Sequence, residues 1–270
     1  MKNHRILSII IFIILVFVLF KLGQSFYKNK NTSVSEGNVI VEEKLVDVSF
    51  VNEVALTTNS KYGSVSGTYP QFRNADPSFN DKIKNAMAIA QAEFENNAKE
   101  NWNARRKTAT LAEKIAEFPN PGDFVFSIKT DYIQVNQNTV SVLMSAYGFN
   151  GGAHGYQVLY SYNYNVKSGR EINMTDLFLN DSQYLSTVSD YSRKDLLSQF
   201  QNKIKRADYD NDADYKSTLQ SITDMIIPGT EPTVDNFSVF TLSPGFINIY
   251  FSQYQVAPYV YGSQIVKMSL

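Results

Sequence analysis

The 270-residue sequence contains no cysteine. That excludes disulfides, thiol nucleophiles, thiolate metal sites and a lipid-anchor cysteine together. Histidine is nearly missing too: there are two, His4 and His154, and His4 lies ahead of a hydrophobic segment. A folded body with one imidazole cannot assemble a multi-histidine zinc centre. No metal, no cofactor and no catalytic residue is therefore expected, and any serine triad would have to use His154 as its base. Charge of one sign is also lacking. The formal net charge of −1 gives no sequence-wide field to draw in nucleic acid, so no nucleic-acid partner is expected. Tryptophan occurs once, against 17 Tyr and 18 Phe, and an aromatic content of this kind favours β-rich packing.

One long apolar run is present. Ile6 to Phe20 spans fifteen residues with Ser8 as the single polar one, and Leu22 and Gly23 extend it past Lys21. Lys2 and Arg5 in front of it predict a signal anchor over residues 6–23, behind a cytoplasmic stub of residues 1–5. The expected localisation is the cell membrane, single-pass, with the C-terminal body extracytoplasmic. A removed signal peptide competes with this reading, with Gly23-Gln24-Ser25 as a weak cleavage candidate. Residues 24–44 read as a tether, polar and pattern-free through residue 38.

The body alternates strand and helix signals. Strand-like pieces occupy Val39 to Phe72, and Tyr69-Pro70 points to an extended or edge segment. Asp76 as N-cap and Pro77 at the first helical position open a helix. Phe79, Ile83, Met87, Ala90 and Phe94 give it an apolar stripe, which weakens after Glu95 although Trp102 keeps a contact point. A second helical piece, Thr110 to Glu117, stops at Phe118-Pro119-Asn120-Pro121-Gly122. Strands follow at Phe124–Val135 and Thr139–Ala146. The turn Asn150-Gly151-Gly152-Ala153-His154-Gly155 then reads as a tight hairpin into a strand with Tyr156, Val158, Tyr160, Tyr162, Tyr164 and Val166 on one face. Lys167-Ser168-Gly169-Arg170 turns the chain again. Helices are predicted from about Gln183 to Lys205 and from Tyr215 to Ile227, then strands at Phe237–Leu242, Phe246–Phe251 and Gln264–Leu270. The fold class is α+β, with antiparallel sheets and segregated helices.

Chemistry-bearing patterns are sparse. Gly151-Gly152-Ala153-His154 lacks the following helix of a phosphate cradle and reads as a hairpin. Asp176 with Glu171 or Asp181 invites a carboxylate-pair reading, although an Asp before Leu-Phe is equally a turn or cap residue. The tyrosine face could stack sugars if exposed, or be half-buried packing. The acidic run Asp208 to Asp214 lacks the glycine and glutamate of an EF-hand loop and reads as a solvated loop.

The run from Gly148 to Phe178, with Phe240 to Leu270, resembles domain-of-unknown-function family 3298. Gly151-Gly152-Ala153-His154, Asp176-Leu177-Phe178, Tyr254, Ala257-Pro258-Tyr259 and Gly262 carry that resemblance in order. The run from Ser66 to Phe94 resembles its companion, family 4163. The division implied is a family 4163-like subdomain over 45–147 and a family 3298-like subdomain over 148–270. The pair is similar to the extracellular part of the anti-sigma factor RsiV and the accessory region of the peptidoglycan deacetylase PdaC. The resemblance implies a non-catalytic bacterial cell-envelope module whose partner is a lysozyme-like protein or peptidoglycan. Gly151, Gly152, His154, Tyr254, Pro258, Tyr259 and Gly262 are its expected binding residues. Five residues ahead of the apolar segment give no expectation of sigma-factor sequestration, and without histidine ligands no deacetylation is expected. Two alternatives stay open: a wall-glycan hydrolase using a carboxylate such as Asp176, and a structural envelope protein.

Overall fold

The computed structural model describes residues 49–56, 58–60, 62–111, 124–178 and 181–270. The chain divides into Met1–Lys44 and Leu45–Leu270, and all described residues fall in the second unit. The expected stub, anchor and tether lie outside the described residues, as does the expected helical piece beyond its first two residues, Thr110 and Leu111. Among the described residues no helix is long and apolar enough to cross a membrane.

Helix α1, Pro77–Thr108, begins as its sequence dictates. Asp76 Oδ1 accepts from the Ser78 N–H at 2.8 Å, and the ring of Pro77 occupies a position whose missing N–H costs nothing. Phe79, Ile83, Met87, Ala90 and Phe94 are all buried. Ala98 extends the stripe, and the helix continues unbroken through the stretch where the periodicity fades.

That stripe covers one face of a seven-stranded sheet ordered β1-β3-β4-β5-β6-β7, with β2 also on β3. The strands are β1 (Ser49–Ala55), β2 (Thr58–Ser60), β3 (Gly63–Arg73), β4 (Val125–Val135), β5 (Thr139–Phe149), β6 (Tyr156–Asn165) and β7 (Arg170–Glu171). Val140, Val142, Met144 and Ala146 of β5 face α1, opposite Tyr164, Tyr162, Tyr160 and Val158 of β6. The strand pairs are antiparallel, as expected, with one exception. Ser64–Gly67 of β3 run parallel to Val125–Ile128 of β4, because α1 carries the chain back across the sheet between them. Pro70 lies beyond that paired stretch, where its missing N–H removes no bond to β4.

The tyrosine strand is less uniformly buried than its alternation suggests. Tyr162, Tyr164 and Val166 are in the core, whereas Tyr156 and Tyr160 are half-buried and Val158 is exposed. β7 pairs only with Tyr164 and Asn165, so the Tyr156 end of β6 forms the sheet margin.

A second core follows. It is formed by α2 (Met174–Leu177), α3 (Tyr184–Lys203), α4 (Asp212–Gly229) and a three-stranded antiparallel sheet ordered β10-β9-β8. Those strands are β8 (Phe240–Ser243), β9 (Phe246–Phe251) and β10 (Gln264–Ser269). Val188, Leu196, Phe200, Ile222, Ile226, Phe251 and Val266 fill it. The strand expected from Phe237 starts at Phe240, because Asp235–Phe237 coils into a 3-10 turn.

The two cores meet through polar atoms. On the sheet face away from α1, Ser141 Oγ donates to Asn163 Oδ1 at 2.6 Å and accepts from the Leu242 N–H at 2.8 Å. Asn163 Nδ2 donates to the Phe240 carbonyl at 2.8 Å, and Ser161 Oγ accepts from the Phe240 N–H at 3.0 Å. Strand β8 thus satisfies its backbone on side chains of β5 and β6, and the polar side of the tyrosine strand is an internal seam.

Candidate functional site

The β5–β6 connection is the six-residue loop Asn150–Gly155, with the bounds expected of the hairpin turn. Gly151 carries a φ of +87°, which explains glycine there, whereas Gly152 has no positive φ and faces open space apart from the His154 carbonyl. The end of α1 holds this loop. Asn101 Nδ2 donates to the Asn150 carbonyl at 3.1 Å, and Arg105 Nη2, one turn later, donates to the Gly151 carbonyl.

A second loop, between β9 and β10, meets it. Val256 and Ala257 are buried in the second core and anchor the loop. Pro258 then caps a 3-10 turn over Tyr259–Tyr261, which ends at Gly262 with φ +68°. Two glutamines fix its ends. Gln255 Nε2 donates to the carbonyls of Gly229 and Asn236 at 3.2 and 3.0 Å, while its Oε1 accepts from the Ser252 N–H. The buried side chain of Gln264 donates to the carbonyls of Tyr261 and Gly262 at 2.7 and 3.1 Å.

His154 and Tyr254 join the loops across 100 positions of sequence. Tyr254 Oη lies 3.0 Å from His154 Nε2, and the imidazole stacks on Tyr259 with ring centroids 4.0 Å apart. Tyr254 and Tyr259 are 5.7 Å apart. His154 Nδ1 is 2.8 Å from the Gly155 carbonyl, which can only accept. In the neutral ring Nδ1 therefore bears the hydrogen, and Nε2 accepts from the Tyr254 hydroxyl. Tyr254 is 54% exposed and holds φ at +67°, a left-handed conformation that is uncommon outside glycine. Val260, beside Tyr259, is 81% exposed. The result is an aromatic cluster, with His154 and Tyr254 exposed and Tyr259 half-buried, where two braced loops meet.

Of the residues singled out from sequence, His154, Tyr254 and Tyr259 come into direct contact. Pro258 and Gly262 bound the turn that presents Tyr259, Gly151 shapes the opposing loop, and Gly152 touches none of the three rings. Asn101, Arg105, Gln255, Gln264 and Val260 carry no local signal in the sequence. A helix-end arginine or a loop glutamine becomes a positioning residue only through the tertiary contact it makes.

The carboxylates beside α2 act as structural acceptors. Asp176 Oδ2 accepts from the Asn173 N–H at 2.7 Å, and Asp181 Oδ1 from the Gln183 N–H at 2.8 Å, while Glu171 pairs with Lys82. Asp176 closes the capping box of α2 from its third position, with Asn173 as the N-cap, which counts against its reading as a hydrolytic acid. Asn165 Oδ1 likewise accepts from the Ser168 N–H within the turn before β7. Among the described residues no group of His, Asp or Glu is arranged to hold a metal ion.

Comparison with known proteins separates the chain into two matches. Residues 175–270 match the family described as protein of unknown function DUF3298, and residues 56–157 match the family described as deacetylase PdaC. Residues 175–270 are thus similar to family 3298 and residues 56–157 to the deacetylase's family; the resemblance read from sequence holds in both parts, the companion under the deacetylase's name. A curated relative, the peptidoglycan-N-acetylmuramic acid deacetylase PdaC of Bacillus subtilis, is 25% identical over 219 residues. That alignment takes in 81% of this chain and 40% of the relative, so the chain spans about two fifths of that protein's length. The crystal structure of a DUF3298 family member from Bacteroides fragilis superposes with a TM-score of 0.55 at 14% identity, covering 83% of this chain and 91% of that one, and shows a shared fold. A DUF3298 family structure from Pseudomonas aeruginosa gives a TM-score of 0.47 at 16% identity, covering 84% and 92%.

Proposed function

We propose that this chain is a non-catalytic cell-wall-binding module that holds peptidoglycan glycan on the surface formed by His154, Tyr254 and Tyr259. One observation carries the reading: two loops distant in sequence converge to bring these three rings together, each loop braced by buried or half-buried side chains. Sugar rings present apolar C–H faces ringed by hydroxyls. Tyrosine matches both parts, with a flat apolar body and a hydroxyl edge, and His154 orients the two tyrosines through its own bonds and stacking. The relationship to a peptidoglycan deacetylase supports a wall polymer as the ligand class. The deacetylase's activity is not carried over, since the match covers a minority of that protein. Residues 6–23 would tether the module to the membrane with its body outside the cell.

Retention of the full-length chain on purified wall sacculi tests the reading. Wild-type protein is expected to sediment with sacculi, and Tyr254→Ala or Tyr259→Ala to weaken retention by about tenfold, equivalent to roughly 1.4 kcal/mol. Equal retention of all three proteins would place the contact elsewhere.

A lysozyme-like protein is the second reading. The exposed Val260 favours it, since an apolar side chain projecting beside aromatic residues is typical of a protein–protein anchor. Capture by immobilised lysozyme, lost on Val260→Asp, would select it over the glycan.

A further inference from the structure

The outer edge of β6 is open between two stops. Ile172 donates its N–H to the Asn163 carbonyl from the β7 side, whereas the N–H of Val166 points the other way, to the Asn138 carbonyl. Backbone groups alternate sides along an antiparallel strand, so Gln157, Leu159 and Ser161 also turn theirs away from β5. Among the described residues no strand pairs with these three on that side, since β7 meets only Tyr164 and Asn165. β7 closes the edge at one end and the Asn150–Gly155 loop bounds it at the other.

The side chains along this margin leave apolar surface uncovered. Val158 of β6 and Ile89 of α1 are exposed, while Tyr156, Tyr160 and Ala86 are half-buried. Two charges place Ile89 on the β6 side of its helix. Lys82, two turns before it, pairs with Glu171 of β7. Glu93, one turn after it, lies near β6: burial first and the Glu93 charge second push the Tyr156 and Tyr160 phenols up. Helical spacing then puts Lys82, Ala86, Ile89 and Glu93 on one stripe beside the open edge.

That stripe has the same spacing in both directions. Lys82 comes one turn before Ala86 and Glu93 one turn after Ile89, with opposite charges at the two ends. We infer that a second copy of this chain occupies the edge, in a stable dimer whose two-fold axis stands normal to the sheet beside Leu159. Such an axis makes the two β6 strands antiparallel, with Gln157 of each copy opposite Ser161 of the other, and lays the two α1 helices antiparallel on one face. Lys82 of each copy then meets Glu93 of the other, and Ile89 meets Ala86. Glu93 has no ion-pair partner among the described residues of its own chain, and Lys82 is half-exposed beside Glu171 and open to a second carboxylate. An extended peptide would satisfy the strand edge but not these charges, whereas the stripe's own rotated image matches both.

Crosslinking of the full-length chain tests the inference. The sequence has no cysteine, so one introduced thiol reports one position. Val158→Cys treated with a short bismaleimide is expected to give a covalent dimer, whereas Lys216→Cys, exposed on α4, gives none. Adding Lys82→Glu or Glu93→Lys to the Val158→Cys chain should cut the yield about tenfold, because each change sets like charges together at both symmetry-related contacts. An equal mixture of those two chains should recover it, since the mixed dimer restores opposite charges at both contacts, and recovery also shows that both variants are folded. If Val158→Cys stays monomeric, the edge belongs to another occupant and the second copy is wrong. Full yield with Glu93→Lys, or a mixture that fails to crosslink, would overturn the two-fold arrangement.

Discussion

Arg105, in the last turn of α1, donates from Nη2 to the carbonyl of Gly151, 46 positions further along the chain. Its guanidinium also lies 5.7 Å from the centroid of the Phe124 ring, so one side chain ties the helix end, the start of β4 and the His154 loop together. Gly151 has no room for more: a β-carbon there would sit 2.6 Å from the same guanidinium.

Arg105→Ala should therefore loosen the loop without unfolding the protein. A charged hydrogen bond of this kind is worth roughly 1.5–3 kcal/mol where it is well shielded, and this one is partly solvated, so a loss of about 1 kcal/mol is expected. Hydrogen exchange at Asn150–Gly155 should accelerate, while α3 and α4 stay protected. Arg105→Lys should restore the charge but not the fork geometry, and should exchange nearly as fast as the alanine variant. Unchanged exchange in both would mean the loop stands without its brace.

Asn163 is 2% exposed and bonded on both sides, to Ser141 and to the Phe240 carbonyl. Asn163→Leu preserves approximate volume but leaves the Phe240 carbonyl without its side-chain partner at a buried seam. Urea unfolding should report a loss of roughly 2–4 kcal/mol. Replacing Ser141 and Asn163 together with apolar residues should cost less than the sum of the single changes, because each then leaves fewer orphaned groups. Strict additivity would show that the seam is not a network.

Much of this architecture was legible because local rules and tertiary packing agree. The α1 cap at Asp76 and the stripe from Phe79 to Phe94 are written in residue type and spacing alone. The parallel β3–β4 pair was not legible, since strand direction depends on the route of the connecting helix rather than on side-chain period. Nor was the seam: Ser141 and Asn163 alternate with the apolar core positions of their strands, and only the arrival of β8 makes that side internal. The contact between His154 and Tyr254 sits between these cases. Both residues stood out, but no periodicity spans 100 positions to say that they touch.

Tyr160 and Tyr162 link stability to alkaline pH. Burial, aided by the charge of Glu93 and by Tyr156, pushes the Tyr160 phenol up to about 12 from an ordinary 10.0, and burial pushes Tyr162 up as well. An unfolded chain ionises these phenols more easily than the folded one. Their contribution is thus intact below pH 10 and is lost as pH rises from 10 towards 12. Chemical denaturation across that interval should show a falling midpoint, and Tyr160→Phe should flatten the fall. An equally steep decline in the phenylalanine variant would assign the alkaline transition to other groups.

The outer edge of β10 is closed by α3. Tyr191 Oη donates to the Lys267 carbonyl at 2.9 Å and Gln199 Nε2 to the Ile265 carbonyl at 2.8 Å, two residues apart on the side of the strand away from β9. Those carbonyls would otherwise offer a template to the edge of another chain, a hazard sharpened by Ile265, which is exposed. A Tyr191→Phe/Gln199→Ala variant keeps the helix and most of the packing but releases both acceptors. Each bond lies near solvent, so the expected loss of stability is small, about 1 kcal/mol for the pair. The larger effect should be on association: sedimentation velocity over a concentration series should show the variant self-associating where wild-type protein does not change. Adding Ile265→Lys should reverse that behaviour, because a charge on an exposed edge strand opposes pairing without restoring either hydrogen bond. If the variant does not self-associate, the two side chains act as simple hydrogen-bond partners and edge protection is not their role.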